Sequence, residues 1–395
     1  MPQVNPDILR WARETAGLTL EDAVGKLAIK DAKGTIATDR LRAFETGETA
    51  PTRALLSRMA KQYRRPLLTF YLAQPPRRGN WGRDFRGPAA DRSARDEALL
   101  DALVRNVQAR QGLLRSAMLD DDDDLGPLTF PGSATIDTSV EELVDSIRDA
   151  LGLQLSNLRA ARNPNDAFRL LRSHVERAGV FVLVLGDLGS YHTELSVEVF
   201  RGFALADEFA PFVVVNPRDS AAARCFTLLH ELVHLWLGEP GISGGDPLDP
   251  VEAFCNNVAS RFLLPDEELA TLREPEDEDL QDWAASITTF AGSRNVSSSM
   301  VAYRLHRRGV LDRETWLALS GLFRSRWLEG RKRQRQQRAG RDGGPAYAVL
   351  VRHSLGGGLV ELASRLMASG ALTTTKAGRV LGVNPRNAHT IFATG

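Results

Sequence analysis

The sequence predicts a multidomain, mainly α-helical protein with one α+β core, made of a small mixed sheet and the helices that carry the functional residues. Length is the first reason, because 395 residues exceed what one ordinary hydrophobic core can organise. The second reason is that helical periodicity fills most of the chain, whereas short β-branched segments gather between residues 180 and 216. The core is therefore expected in this middle part, with helical modules on both sides.

The charge balance and the hydropathy pattern limit the classes of function. Lys plus Arg and Asp plus Glu both number 50, so no overall field favours nucleic acid or a membrane surface. No segment approaches the roughly 18 consecutive apolar residues of a membrane span, and the first residues lack the basic and apolar parts of a signal peptide. The sequence predicts a soluble, cytoplasmic protein without membrane contact.

Residues 1–72 are predicted to form a bundle of short helices. Thr19 and Asp22 make a capping-box pattern, and a glycine-bearing turn between two short helices is typical of a helix-turn-helix. This part also resembles the repressor-type, XRE-like helix-turn-helix domain. The resemblance is carried by Leu20–Ala23, Phe44–Glu48 and Leu55–Ala60.

DNA is the partner that this resemblance implies for the N-terminal domain. Thr38, Arg40 and Arg42 are then the candidate DNA contacts. The sequence departs from the domain family at residues 28–36, a segment longer than the tight turn that such domains use. The alternative is a helical bundle that covers another part of the chain or docks a protein partner.

Changes in composition divide the rest of the chain. A Pro-, Gly- and Arg-rich stretch after residue 72 cannot continue a helix and is expected to connect two domains. Arginines and lysines gather after residue 324, where they could bind phosphates or form an exposed helix end and linker. The predicted parts are a helix-turn-helix domain (1–72), a connector (73–90), a helical segment (91–165), the α+β core domain (166–285), a helical extension (286–330), a basic linker (331–345) and a small helical, helix-turn-helix-like module (346–395).

Three short strands are predicted ahead of an apolar helix. The strands are Val180–Leu185, Val197–Phe203 and Phe212–Asn216, and the helix is Arg224–Gly238. A small sheet followed by a helix with paired histidines is the layout expected of a zincin-like metallopeptidase core.

The predicted helix carries the pattern His-Glu-x-x-His. His230 and His234 lie four residues apart and share a helix face, so both can bind one Zn²⁺. Glu231 is rotated by about 100° from His230 around the helix, so it does not bind the metal with the histidines and can act on a metal-bound water instead. Two such histidines also occur by chance on helices without a metal, but the preceding strands and the apolar surroundings favour a metal site.

A catalytic zinc needs three protein ligands, and two histidines leave one missing. Glu252 is the best candidate, because it lies near the start of a second predicted helix, Val251–Pro265, that must pack back on the first. Asn256 follows one helical turn later and is expected to contact a metal ligand and orient it without binding the metal itself.

Cys225 and Cys255 are the only cysteines, which excludes a disulfide scaffold and a Cys₄ zinc module. Both are predicted to be small buried hydrophobic residues near the histidine helix. A redox switch or a thiolate zinc ligand is the alternative. Five residues separate Cys225 from His230, which puts Cys225 on another helix face and argues against this role.

The segment Gly179–Pro265 resembles the ImmA/IrrE family of zinc metallopeptidases, which are gluzincin-like. The resemblance is carried by Arg201–Phe203, Pro211–Asn216, Arg224–His234, Glu252, Asn256 and Leu263–Pro265. It implies that His230, His234 and Glu252 bind zinc and that Glu231 is the general base. Cys255 stands where this family usually has alanine. A helix-turn-helix domain followed by such a peptidase domain also recurs in the family.

The sequence offers four candidates for the residue that stabilises the oxyanion. His192 lies in a loop that joins two predicted strands and is a candidate to polarise a substrate carbonyl. Tyr191, Tyr303 and Arg304 are further candidates. The other histidines are expected to be ordinary surface or packing residues.

The resemblance implies a zinc metalloendopeptidase with a protein substrate. In such a reaction Glu231 takes a proton from water and passes it to the leaving amine. The implied substrate is a helix-turn-helix repressor, whose cleavage induces a mobile-element or stress-response operon. The alternative, from a different class, is a DNA-binding transcriptional regulator or toxin–antitoxin-like partner whose metal site is structural or vestigial.

Overall fold

The computed structural model describes residues 3–32, 34–76, 93–121, 126–238, 242–243, 249–275, 279–338 and 346–393. Most of the predicted connector (77–90) and the end of the predicted basic linker (339–345) lie outside the described residues. No helix within the described ranges is long and apolar enough to cross a bilayer. The chain forms two compact units.

The first unit takes in the described residues within Met1–Arg83, Pro88–Val107 and Asp187–Val199. Its helices are α1 (Pro6–Glu14), α2 (Leu20–Leu27), α3 (Ala37–Thr46), α4 (Arg53–Gln62) and the first part of α5 (Ala94–Leu119), with short 3-10 helices at Leu67–Tyr71 and Tyr191–Thr193. The predicted capping box of Thr19 with Asp22 starts α2. Leu9, Leu27 and Leu41 are buried in one apolar core.

The second unit takes in the described residues within Asp84–Gly87, Gln108–Gly186 and Phe200–Gly395. Its helices after α5 are α6 (Val140–Leu151), α7 (Leu155–Arg159), α8 (Pro164–Arg177), α9 (Ala221–Leu237), α10 (Pro250–Leu263), α11 (Asp266–Leu269), α12 (Leu280–Gly292), α13 (Ser298–Arg307), α14 (Arg313–Arg338), α15 (Tyr347–Leu355), α16 (Gly357–Ala368), α17 (Thr374–Leu381), a 3-10 turn (Pro385–Asn387) and α18 (Ala388–Phe392). The predicted basic linker therefore begins inside α14.

A small mixed sheet forms the β part of the second unit. Its strands are β1 (Phe181–Val184), β2 (Gly202–Leu205), β3 (Phe212–Val215) and the two-residue β4 (Ile242–Ser243), in the order β1-β3-β2-β4. β1 is parallel to β3, whereas β2 is antiparallel to both β3 and β4. The three longer strands are buried throughout, which explains their continuous apolar sequences.

Helix α9 lies in the centre of this unit. It packs against α8, α10, β2 and β3. Its apolar side chains, such as Leu228, Leu232 and Leu235, join residues of the sheet and of α10 in one hydrophobic core. This packing holds the helix with the paired histidines between the sheet and α10.

The predicted fold class is confirmed: the protein is mainly helical, with a small mixed sheet in an α+β core. The predicted bounds of the middle strand, Val197–Phe203, are wrong. Residues 197–199 form a turn, and the strand runs from Gly202 to Leu205. The alternating pattern before Gly202 comes from Val197 and Val199 on either side of the exposed Glu198, and Val199 is buried without any sheet pairing.

Candidate metal centre

Helix α9 brings His230, Glu231 and His234 into the core. The Ser220 hydroxyl caps its start by accepting a hydrogen bond from the backbone N–H of Ala223. All three side chains of the motif are buried. Ionisable groups buried to this degree require partners or a metal, since burial of an unpaired charge is costly.

Helix α10 supplies the facing side chains. Asp249 caps its start by accepting hydrogen bonds from the backbone N–H groups of Val251 and Glu252. Pro250 fits in the first turn, where no backbone N–H is needed. Because α10 packs directly on α9, the buried carboxylate of Glu252 faces the two histidines.

Three potential ligand groups converge on one point. The Nε2 atoms of His230 and His234 are 3.2 Å apart. The Glu252 carboxylate oxygens lie 3.4 Å from Nε2 of His230 and 3.3 Å from Nε2 of His234. Ligands at zinc distances of 2.0 to 2.1 Å in a tetrahedron are about 3.3 Å from one another. The donor set and its spacing therefore fit a zinc ion.

The ionisation of this cluster depends on its mutual contacts. Burial raises the pKa of Glu252, but hydrogen bonds from His230 and His234 outweigh it and bring the pKa down to about 2. Burial lowers the pKa of His230, yet the contacts with Glu252, Glu231 and Asn256 raise it overall. The Asn256 side chain thus interacts with the ring of a predicted ligand. Glu252 is negatively charged at neutral pH, as a metal ligand must be.

One protein-family model matches the region that contains this cluster. Residues 176–306 match the IrrE N-terminal-like domain, Peptidase_M78. The match supports a metallopeptidase of the ImmA/IrrE type for this part of the chain, here called the M78 domain. It includes the sheet, α9 and α10. Comparison with curated proteins and with solved structures gave no significant match.

Glu231 lies over the backbone of β2 in the M78 domain. A Cβ atom added at Gly202 would come within 3.0 Å of Glu231 Oε1 and 2.6 Å of Thr227 Cγ2. The missing side chain at position 202 therefore provides the space that the Glu231 carboxylate occupies. Sequence patterns alone give Gly202 no functional role, although a glycine inside a strand is a signal of close backbone approach.

Both cysteines of the M78 domain are buried, as predicted. Burial raises the pKa of the Cys225 thiol to about 12, which keeps it protonated. Cys255 has a different position: its Sγ, His230 and His234 offer ligand atoms that all lie within 4.8 Å of one another. Tertiary packing thus brings a thiol into the predicted metal cluster.

Tyr303 and Arg304 lie on α13 and have partners of their own. The ring of Tyr303 lies 6.2 Å from that of Trp316. The buried guanidinium of Arg304 donates a hydrogen bond of 2.7 Å to Asp266. Both remain predictions as oxyanion stabilisers.

Tyr191 and His192 belong to the first unit, on a short 3-10 helix. Their rings are 3.7 Å apart, and Tyr191 is exposed. The backbone carbonyl of His192 accepts a hydrogen bond from Arg95. Their proposed part in oxyanion stabilisation likewise stays a prediction.

The candidate DNA contacts lie on α3 of the first unit. The guanidinium of Arg40 donates a hydrogen bond to the carbonyl of Lys30. Arg42 is exposed and forms an ion pair of 2.7 Å with Asp39. Both arginines thus have local partners, and Thr38 lies beside them near the start of the helix.

Proposed function

We propose that the M78 domain is a zinc-dependent metalloendopeptidase that hydrolyses a peptide bond in a protein substrate. The observation that carries this proposal is the geometry of the ligand set. His230, His234 and Glu252 face one point at tetrahedral spacing, and Glu231 lies next to the first of them on α9. Two histidines and one carboxylate, with a further carboxylate beside them, are the parts of a hydrolytic zinc site.

Each residue has one task in the proposed reaction. His230, His234 and Glu252 would hold the metal. Zinc bound there would polarise the scissile carbonyl and lower the pKa of water towards neutrality. Glu231 accepts the proton from the attacking water and delivers it to the leaving amine. Burial of the Glu231 carboxylate strengthens its electrostatic effect on the reacting atoms.

The proposed substrate is a helix-turn-helix repressor in the cytoplasm, and its cleavage would induce a mobile-element or stress-response operon. The resemblance to the ImmA/IrrE family supports this class of substrate. The N-terminal bundle of four helices supports a further role for DNA as a partner of the first unit.

The test uses the full-length protein, the repressor encoded beside it and the variant Glu231→Gln. We expect the wild type to cleave this repressor, and the variant to keep its zinc while the cleavage rate falls by roughly 10²-fold or more. Zinc is measured by mass spectrometry, and cleavage by gel electrophoresis. Cleavage at the wild-type rate by Glu231→Gln would refute the role of Glu231.

A second candidate function is favoured by the position of Cys255. Structural zinc sites have four protein ligands and no open position, and the thiol of Cys255 lies beside His230 and His234. The protein would then be a DNA-binding regulator or toxin–antitoxin-like partner with a structural metal. Sequence-specific, salt-dependent DNA binding that survives Glu231→Gln, with no cleavage by the wild type, supports this candidate instead.

A further inference from the structure

We propose that Cys255 is a fourth protein ligand of the metal, and that its thiolate takes the position that the peptidase reaction needs for water. The first part concerns the metal site alone. The second part, a closed resting state, rests on the proposed peptidase function.

Helix periodicity puts Cys255 on the ligand face of α10. Cys255 follows Glu252 by three residues and precedes Ala259 by four, so the three share one side of the helix. All three are buried, and α10 packs on α9. The thiol therefore points into the contact between the two helices that hold the predicted ligands.

The Sγ atom of Cys255 lies close to both histidines. The ligand atoms of Cys255, His230 and His234 all lie within 4.8 Å of one another. A sulfur at about 2.3 Å and a nitrogen at about 2.0 Å from one tetrahedral zinc are about 3.5 Å apart. The separation of Sγ from each histidine nitrogen therefore needs to shorten by about 1.3 Å at most for the sulfur to join the two imidazoles on one zinc ion.

The chemistry of the thiolate suits this metal better than that of water. Zinc is a borderline-soft ion that binds Cys sulfur readily, and the other ligands here are imidazoles and a carboxylate. Full burial of Cys255 also reduces competition from solvent. A zinc ion at this site would therefore hold the thiolate in preference to a solvent molecule.

Four protein ligands would close the site. Catalytic zinc sites have three protein ligands and an open position, whereas sites with four are closed. Opening would require the thiolate to leave, to take up a proton as a thiol and to be replaced by one water molecule. Such an exchange would restrain a peptidase until a substrate or another signal displaced the sulfur.

The test of the first part is zinc K-edge X-ray absorption on the zinc-loaded full-length protein. We expect one sulfur at about 2.3 Å among nitrogen and oxygen neighbours. Cys225→Ser is the matched control, because Cys225 is equally buried and lies on the adjacent helix. The sulfur should persist in Cys225→Ser and disappear in Cys255→Ser.

The X-ray absorption measurement still identifies the sulfur ligand if Cys255→Ser does not fold. The chain has two cysteines, so a thiolate sulfur at about 2.3 Å that persists in a folded Cys225→Ser protein comes from Cys255. Wild-type zinc with only nitrogen and oxygen neighbours would overturn the proposal. Sulfur that remains in a folded Cys255→Ser protein would overturn it equally.

The closed resting state has its own measurement. With the sulfur established, Cys255→Ser should cleave the repressor faster than the wild type, and Cys225→Ser should cleave it at the wild-type rate. Equal rates in all three proteins would refute the closed state. Absence of cleavage in all three would instead count against the proposed peptidase function, while the assignment of the fourth ligand would stand.

Discussion

Gly202 and Glu231 are in close contact across the β2–α9 interface: a Cβ atom at position 202 would lie 3.0 Å from Oε1 of Glu231. The same atom would lie 2.9 Å from the backbone carbonyl oxygen of Val214 on β3. A side chain at position 202 would therefore strain the pairing of β2 with β3 and would also displace the side chains of Thr227 and Glu231 on α9. The position of the proposed general base is therefore set by a residue without a side chain.

Gly202→Ala is expected to impair catalysis while zinc stays bound. Overpacking should lower the free energy of unfolding by about 1 to 3 kcal/mol. A shift of the Glu231 carboxylate by about 1 Å should reduce the cleavage rate by roughly 10²-fold. Rates, zinc content and denaturant unfolding provide the measurements.

Gly112→Ala is the control, because a Cβ there would meet no atom within 4 Å. It lies in α5 and should stabilise the helix by about 0.5 to 1 kcal/mol. If Gly202→Ala cleaved as fast as this control, the steric role of Gly202 would be wrong.

Glu252→Gln should remove zinc from the dialysed protein. The variant keeps the size of the side chain but loses the charge that two imidazoles stabilise in the wild type. Mass spectrometry gives the metal content. Glu267→Gln, an exposed residue on α11, is the control and should retain zinc. Equal zinc in both variants would exclude Glu252 as a ligand.

Asn256→Ala is expected to weaken zinc affinity by about 10- to 100-fold, because the contact of Asn256 with His230, which helps to raise the pKa of that imidazole, is expected to orient the ring. Competition with a chromophoric chelator measures the affinity. Asn257→Ala changes the next residue of the same helix and should leave the affinity as it is. A wild-type affinity in Asn256→Ala would assign Asn256 to packing alone.

In metal-free protein, the Glu252–His230 contact predicts a pH window of stability. Burial raises the pKa of Glu252, but hydrogen bonds from the imidazoles outweigh burial and lower this pKa from 4.5 to about 2. The contribution of Glu252 to the free energy of unfolding is therefore complete above pH 4.5 and is lost as the pH falls through 2. The pKa of His230 is raised above 6.5 despite burial, so its contribution is complete below pH 6.5 and is lost at higher pH.

The free energy of unfolding of the metal-free wild type should therefore exceed that of metal-free Glu252→Gln most strongly between pH 4.5 and 6.5. Urea titrations of both chelator-treated proteins across this range provide the measurement. A difference that is constant with pH would contradict the assigned charges.

Arg13→Met should destabilise the first unit by about 3 to 5 kcal/mol, because it leaves the carboxylate of Glu45 buried without its partner. Nε of Arg13 lies 2.7 Å from Oε1 of Glu45, and Nη2 lies 3.0 Å from Oε2. Hydrogen exchange of the α1–α4 amides reports the change. Arg42→Met breaks an exposed pair and should cost less than about 1 kcal/mol. Similar exchange in both variants would show that burial does not strengthen the Arg13–Glu45 pair.

Local patterns in the sequence predicted the elements of the site. A spacing of four residues on a helix puts two side chains on one face, and the structure has the Nε2 atoms of His230 and His234 3.2 Å apart. The fold class followed from helical periodicity and three apolar strand patterns. The predicted position of the middle strand is wrong because Val197 and Val199, on either side of the exposed Glu198, imitate the alternation of a paired strand although these residues form a turn.

The sequence by itself determined which residues α9 and α10 present on their faces, because that depends on a period of 3.6 residues within each helix. Only the tertiary structure decided which of these faces meet. The separation of the helices sets the 3.3 to 3.4 Å contacts of Glu252 with the histidines and brings Cys255 into the same cluster. The closeness of β2 gives Gly202 its role. These distances arise from side chains packed between separate helices and strands, and no single helix or strand pattern contains them.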